Sequence, residues 1–316
     1  MRLQRYRRAV PASNDTTLRW GVHTGLQNTS IAQLRDLWAR IEDLEFDWIS
    51  IWDHFYAADL VGAHCHEAVA AHAALACHTS RVRCGSLVYC AAYRPPAVLA
   101  NAITTIDHLS GGRADLGLGA GWAQPEFEAY GYRFGTPKER VDLLEESLTC
   151  IRGLLQDEVT SFEGEHVTLT EARCEPKPVQ ERLPIWVGGS GPRMLGIVAR
   201  HADGWNVPFL TPELFAAKRA ELLERCDEVG RDPSTLRCSV NVGAAPDETS
   251  LTEQFGAMAE VVRGGVLMGE PGAMAEQVAR YVEAGADQIN LAMRAPWQLD
   301  TLELLADARS EVATAR

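Results

Sequence analysis

The sequence predicts an α/β chain folded as a (β/α)8 barrel of the TIM type, with a small β-hairpin insertion and irregular loops at the C-terminal mouth. Three observations carry this expectation. Eight short apolar stretches each precede a stretch of helical periodicity, and that alternation gives a parallel sheet covered by helices. The chain has 316 residues, a length that α/β barrels routinely reach as one domain. No Gly-x-Gly-x-x-Gly follows the first strand, which weakens an open dinucleotide-binding sheet, although the pattern alone does not exclude that rival.

The elements read in order as follows. Residues 1–17 form a flexible basic arm with Arg2, Arg5, Arg7 and Arg8 but no apolar segment of a secretory signal, and residues 18–316 form one barrel domain. Residues 18–23 are the first strand. Thr29-Ser30 caps a helix on which Ile31, Leu34, Leu37, Trp38, Ile41 and Leu44 recur at helical spacing. Residues 46–52 are the second strand, 67–77 an alanine-rich helix and 82–88 the third strand. Pro95-Pro96 opens the next helix, and Gly111-Gly112 turn the chain into the fourth strand, residues 114–119. Thr136-Pro137-Lys138-Glu139 is a strong helix start with cap, first-position proline and capping-box glutamate. Residues 159–169 read as the inserted hairpin. Strands at 184–187, 204–207, 237–243 and 287–293 complete the eight, separated by helices, with an irregular segment over 246–272.

Bulk properties remove several function classes. Lys plus Arg total 30 against 43 Asp plus Glu, a net charge of −13, and such a surface lacks the basic footprint of sequence-independent nucleic-acid binding. No apolar run reaches the ~18 residues of a membrane span. The eight cysteines show no Cys-x-x-Cys spacing and read as reduced, mostly buried thiols of a cytoplasmic protein.

In a barrel the active site lies at the C-terminal strand ends. These ends are His23, Asp53-His54-Phe55, Ser86-Leu87-Val88, Gly119-Ala120-Gly121-Trp122, Gly188-Gly189-Ser190-Gly191 and Asn206. Asp107 and Arg113 lie instead at the entry to the fourth strand, where a polar pair serves stability. Gly119-Ala120-Gly121 ends a strand with almost no side-chain bulk. That suits close backbone approach by a ligand, or room for a neighbouring element. Gly188 to Gly191 runs into a helix start at Pro192. The exposed N–H groups, the positive helix end, Ser190 and Arg193 suit a phosphate, against the alternative of a plain turn. His54 suits proton transfer, with Asp53 beside it to fix its tautomer; the alternative is a histidine satisfying a backbone group. His64-Cys65-His66 lacks a convincing third and fourth ligand, so it reads as a loop over the mouth and no metal is assigned. Trp52, Trp122 and Trp205 near strand ends suit the flank of a flat ring or, more simply, core packing.

Together W-D-H-F at 52–55, G-S-L-V at 85–88, L-S-G-G-R-A-D-L-G-L-G-A-G-W at 109–122, Glu126, Gly131 and Arg140, P-I-W-V-G-G-S-G at 184–191 and A-D-G-W-N at 202–206 resemble the luciferase-like monooxygenase superfamily. Within it the chain is similar to the branch of coenzyme F420-dependent oxidoreductases, from about Trp20 to Met293. The resemblance implies a homodimeric (β/α)8 barrel that binds F420 or reduced FMN at the mouth. It implies a non-prolyl cis peptide behind the ring, matching Ser86–Leu87 here. It places Gly119, Ala120 and Gly121 against the cofactor and Gly188, Gly189, Ser190 and Gly191 around its phosphate. It also implies that His54 lies near the reactive carbon. In F420-dependent glucose-6-phosphate dehydrogenases a glutamate follows the small-residue strand end; here Trp122 stands there, so a sugar-phosphate substrate does not carry over.

The expectation is therefore an F420-dependent oxidoreductase transferring hydride to or from a small organic substrate. His54 carries the proton role with Asp53 second, and His23, Trp52 and Trp122 line the substrate pocket. The alternative is an FMNH2-dependent monooxygenase served by a partner flavin reductase. A third reading is a catalytically silent flavin-binding protein on the same barrel, against which stand His54 and the phosphate loop.

Overall fold

A computed structural model describes residues 18–57 and 62–314, so the expected basic arm lies outside the described residues. The chain runs through β1 (Arg19–Thr24), α1 (Ile31–Asp43), β2 (Trp48–Ile51), α2 (Ala68–His78), β3 (Arg83–Ser86), β4 (Tyr89–Cys90), α3 (Pro96–Ser110) and β5 (Ala114–Gly119). It continues with α4 (Gln124–Ala129), α5 (Pro137–Gln156), β6 (Thr160–Glu163), β7 (Thr168–Ala172), β8 (Ile185–Gly188), α6 (Pro192–His201), β9 (Gly204–Pro208) and α7 (Pro212–Glu228). It ends with β10 (Arg237–Ala245), α8 (Glu248–Phe255), α9 (Ala259–Val262), β11 (Val266–Met268), α10 (Pro271–Glu283), β12 (Gln288–Met293) and α11 (Leu299–Thr314).

Eight parallel strands close a barrel in the order β1-β2-β3-β5-β8-β9-β10-β12, with β12 returning to β1. This is the (β/α)8 architecture that the alternation of elements predicts. Ser30 forms the capping box of α1 with Gln33, and Thr136 that of α5 with Glu139. The antiparallel β6–β7 hairpin is inserted outside the barrel, where the Glu146 carboxylate of α5 accepts the N–H groups of Glu165, His166 and Val167. Among the described residues no helix is long and apolar enough to cross a membrane.

Side chains at every second strand position fill the barrel interior. Trp48 and Trp186 pack with ring centroids 5.5 Å apart, and Trp48 Nε1 donates to Asp115 at 2.7 Å. Glycines on neighbouring strands admit these indoles. A Cβ added at Gly85 would lie 2.2 Å from Trp48, and one at Gly204 2.3 Å from Trp186. The indoles plug the barrel and leave its C-terminal mouth as the place for a ligand. At the opposite end, Arg113 donates to the Ala76, Thr79 and Val82 carbonyls, while Asp107 accepts from Gln180 and Ala114. Each ties different elements together, as a bottom-face scaffold should.

Two expectations need correction. The third strand does not run unbroken to residue 88. The non-prolyl cis bond is Leu87–Val88, not Ser86–Leu87. Leu87 N still donates to the Ile51 carbonyl at 2.8 Å, so the ladder with β2 holds through residue 87, and pairing to β5 resumes at Tyr89. Residues 246–272 are also more ordered than their composition suggested. Asp247 caps α8 through Ser250 N, and β11 pairs beside Gly243–Ala245 of a β10 longer than expected.

Candidate active site at the barrel mouth

His54 follows the end of β2, and its nearest acid is not its sequence neighbour. Asp53, 5% exposed, is gripped by both terminal nitrogens of Arg94, at 2.7 and 3.0 Å, and accepts Cys90 N at 2.9 Å. Burial pushes this carboxyl up, with Arg94 and the Cys90 N–H pulling the other way. Both oxygens are thus engaged, which corrects the expectation that Asp53 fixes the His54 tautomer.

Glu126 of α4 does so instead. Its carboxylate, 4% exposed, meets His54 Nδ1 at 3.0 and 3.1 Å and accepts Phe55 N and Tyr56 N at 3.0 Å each and the Tyr93 hydroxyl at 2.8 Å. Burial would raise its pKa, but the bonds from His54, Tyr56 N and Tyr93 outweigh that and hold it below the ordinary glutamate value. An ionised carboxylate only accepts, so Nδ1 of His54 carries a hydrogen, and among the described residues Nε2 has no hydrogen-bond partner.

The aromatic residues expected in the pocket surround this imidazole. Trp52 lies edge-on at 5.9 Å and Trp122 at 5.4 Å, the latter 65% exposed. His23 meets Trp52 at 5.6 Å and Ser50 Oγ at 2.8 Å through Nδ1. Burial pulls His23 down to about 3, so it stays neutral. Trp205 instead stacks on Phe215 in the core and bonds the Gly189 carbonyl at 2.8 Å.

The small-residue strand end packs on the bulge at Leu87–Val88, the stretch between Ser86 and Tyr89 where pairing to β5 is interrupted. Ser86 Oγ donates to the Gly117 carbonyl at 3.1 Å and accepts Gly117 N at 2.9 Å, joining β3 to β5 where the bulge interrupts the ladder. A Cβ at Gly119 would lie 2.5 Å from Val88, and one at Gly121, whose φ is +79°, 2.6 Å from Cys90 Sγ. The missing side chains at both glycines therefore make room for protein. Leu87 and the half-buried Ala120 complete this wall.

The Gly188 to Gly191 loop is different. A Cβ on Gly191 would meet nothing within 4 Å, and Gly189 has φ +116°. Gly191 caps α6 without any side-chain hydrogen bond, and Ser190 is half-buried beside it. An uncapped helix start behind an open glycine fits an anion, so the residues present suit a cofactor phosphate. Arg193 does not add its charge there, because it pairs with Asp142 of α5 and donates to the Lys138 carbonyl.

The His64-Cys65-His66 loop pairs with the chain after β1. Asn28 N donates to the His64 carbonyl, His66 N to the Leu26 carbonyl, and His66 Nε2 lies 2.9 Å from the Thr29 carbonyl. Burial pushes Cys65 up to about 12, so its thiol stays protonated. Glu126 and Arg94, which hold His54 and Asp53, are partners that spacing alone misses. Glu126 sits in a six-residue helix with no periodic signal, and Arg94 in a turn.

Residues 16–255 match the family profile described as luciferase-like monooxygenase. An uncharacterized Mycobacterium tuberculosis protein is 33% identical over 208 residues, 65% of this chain and 70% of that protein. The F420-dependent glucose-6-phosphate dehydrogenase of Amycolatopsis mediterranei is 34% identical over 167 residues, 52% of this chain and 50% of that enzyme. Pyrimidine monooxygenase RutA of Cronobacter sakazakii is 32% identical over 187 residues, 56% and 53% of the two chains. Among solved structures, an F420-dependent secondary alcohol dehydrogenase with an F420-acetone adduct superposes with a TM-score of 0.85 at 19% identity, covering 94% of this chain and 99% of that one. The profile match, running from β1 through α8 over more than half of the chain, establishes that the chain belongs to the luciferase-like monooxygenase family.

Proposed function

We propose that this enzyme is an oxidoreductase using the deazaflavin F420 for hydride transfer to or from a small organic substrate. The observation that carries the reading is His54, held by Glu126 through Nδ1, its ring edge-on to Trp52 and Trp122 and its Nε2 without a hydrogen-bond partner among the described residues. The similarity to F420-dependent dehydrogenases supports it. When bound, a deazaflavin supplies a carbon that gives or takes a hydride. The protein's part is to align, shield and move a proton. The Leu87–Val88 bulge and the Gly119–Ala120–Gly121 strand end form a wall without projecting bulk, against which a flat ring lies. Gly188, Gly189, Ser190, Gly191 and the α6 start hold the phosphate. His54 Nε2 accepts a proton from a substrate hydroxyl as hydride leaves, or returns it in the reverse direction. Asp53 acts at one remove, fixing Arg94 and the Cys90 backbone behind the bulge. His23, Trp52 and Trp122 present an aromatic face to the substrate.

A second reading, a reduced-FMN monooxygenase with a partner reductase, is favoured by the similarity to a pyrimidine monooxygenase. Titrating the protein with F420 and with FMN, followed by cofactor fluorescence, separates the two. Micromolar F420 binding with weak FMN binding is the expected result. Tight FMN binding without F420 binding would replace the first reading by the second.

A further inference from the structure

A ladder of buried amides crosses the barrel under the mouth, and its polarity is set from below. Arginine is donor-only, so the long 3.4 Å contact from Arg19 to Gln288 Oε1 turns the Gln288 amide nitrogen toward Asn290 Oδ1, which it meets at 2.8 Å. Asn290 Nδ2 must then face Asn241 Oδ1, at 3.0 Å. A second anchor is independent of the first. Ser239 Oγ donates to the Trp205 carbonyl at 3.2 Å, so it accepts from Asn206 Nδ2, at 2.8 Å. Asn206 Nδ2 also reaches Asn241 Oδ1, at 3.0 Å.

This ordering uses both hydrogens of Asn206 Nδ2 and places two donors on Asn241 Oδ1. What remains is one acceptor, Asn206 Oδ1, and one donor, Asn241 Nδ2. Among the described residues neither has a hydrogen-bond partner, and neither is a fully buried orphan atom. Beneath them Trp48, Trp186, Gln288, Asn290 and Ser239 are 0–2% exposed, whereas Asn206 and Asn241 each keep 5%. The two open atoms therefore belong to residues that keep an accessibility which the layer beneath has lost. Asn206 pairs in register with Gly188, whose Cβ position lies 3.5 Å from Val88 of the bulge, so the pair sits on the floor of the proposed cofactor and substrate site.

We infer that this floor reads an amide edge: Asn206 Oδ1 accepts an N–H, and Asn241 Nδ2 donates to the adjacent C=O, of a neutral carboxamide, lactam or imide. The inference rests on the site proposed above. An acceptor beside a donor, both held by buried partners, discriminates strongly against an analogue lacking either group, because that analogue leaves one of them unpaired. Two ligands at this mouth carry such an edge, namely an amide substrate and the pyrimidinedione ring of the cofactor.

The test uses three isosteric probes, benzamide, acetophenone and benzamidine, with the full-length protein loaded with F420. Wild type should bind benzamide more than about tenfold tighter than acetophenone, a comparison needing no variant. Asn241→Asp keeps an oxygen for Asn206 and Asn290 but turns the outward donor into an acceptor. It should shift the benzamide-to-benzamidine ratio more than about tenfold toward benzamidine. That shift with unchanged F420 affinity assigns the edge to substrate. A comparable loss of F420 affinity without probe selectivity assigns it to the cofactor ring. Neither effect, in a folded variant, overturns the inference. Absence of any F420 or FMN binding to wild type would instead remove the functional reading, leaving the probes to report on the amides in the free protein.

Discussion

The Glu126 carboxylate, on a six-residue helix 72 positions further along the chain, lies 3.0 Å from Nδ1 of His54 and fixes which nitrogen of that imidazole faces the mouth. The same carboxylate ties down the backbone after β2 and the Tyr93 hydroxyl. Glu126→Gln should lower turnover by about ten- to a hundredfold with little change in KM, since it alters proton transfer and not binding. Glu126→Ala should also cost about 1–3 kcal/mol of stability, because several buried donors lose their acceptor. Steady-state kinetics and urea unfolding of the two variants check this. Equal effects on KM and kcat would deny His54 a dedicated orienting partner.

Asp53 is buried and held at both oxygens by the half-buried Arg94, which also pairs with Glu67, so removing Arg94 strands the Asp53 carboxylate. Arg94→Met should destabilise the fold by about 3–5 kcal/mol, more than truncation of an exposed ion pair. A denaturation midpoint close to wild type would show that Asp53 is not held by this pair.

Gly119 and Gly191 should respond oppositely to alanine. At Gly119 the new methyl meets Val88 at 2.5 Å, and overpacking of this kind costs about 1–3 kcal/mol. At Gly191 it meets nothing within 4 Å, so stability should stay within about 0.5 kcal/mol of wild type while cofactor affinity falls. Thermal melts with and without cofactor separate the two effects.

Acid should destabilise the protein through two buried histidines. His72 bonds the Tyr89 hydroxyl at 2.8 Å and lies 3.0 Å from the Cys84 carbonyl. Burial pulls His23 to about 3 and His72 to about 4. The unfolded chain takes up these protons near pH 6.5 and the native state does not. Their contribution is therefore complete above about pH 6.5 and lost as pH falls toward 4, at about 1.4 kcal/mol per pH unit for each histidine. Urea midpoints at pH 7, 6 and 5 should fall accordingly, less steeply in His72→Gln. A flat profile would contradict the neutral buried state.

The barrel was legible because its strands and helices differ in period and some helix starts carry their own cap, as at Ser30 with Gln33 and Thr136 with Glu139. The residues of the candidate site were legible where strand ends supply them, at His23, His54, Trp122 and Gly188 to Gly191. Pairings across the chain were not. Asp53 adjoins His54 in sequence, yet successive residues of an extended chain point apart, so each found a partner on another element. The Leu87–Val88 bulge depends on where the β2 ladder ends, which local composition does not encode. One unused signal was present: Ser239-Val240-Asn241 and Gln288-Ile289-Asn290 alternate polar with apolar inside buried strands, the mark of an interior polar layer.

The most direct test is a crystal structure with F420 bound. The account predicts the deazaflavin against the Leu87–Val88 bulge and the Gly119–Ala120–Gly121 strand end. It puts the phosphate at Gly188 to Gly191 and His54 Nε2 facing the hydride-bearing carbon. A ring bound elsewhere, or one whose reactive carbon faces away from His54, would contradict it.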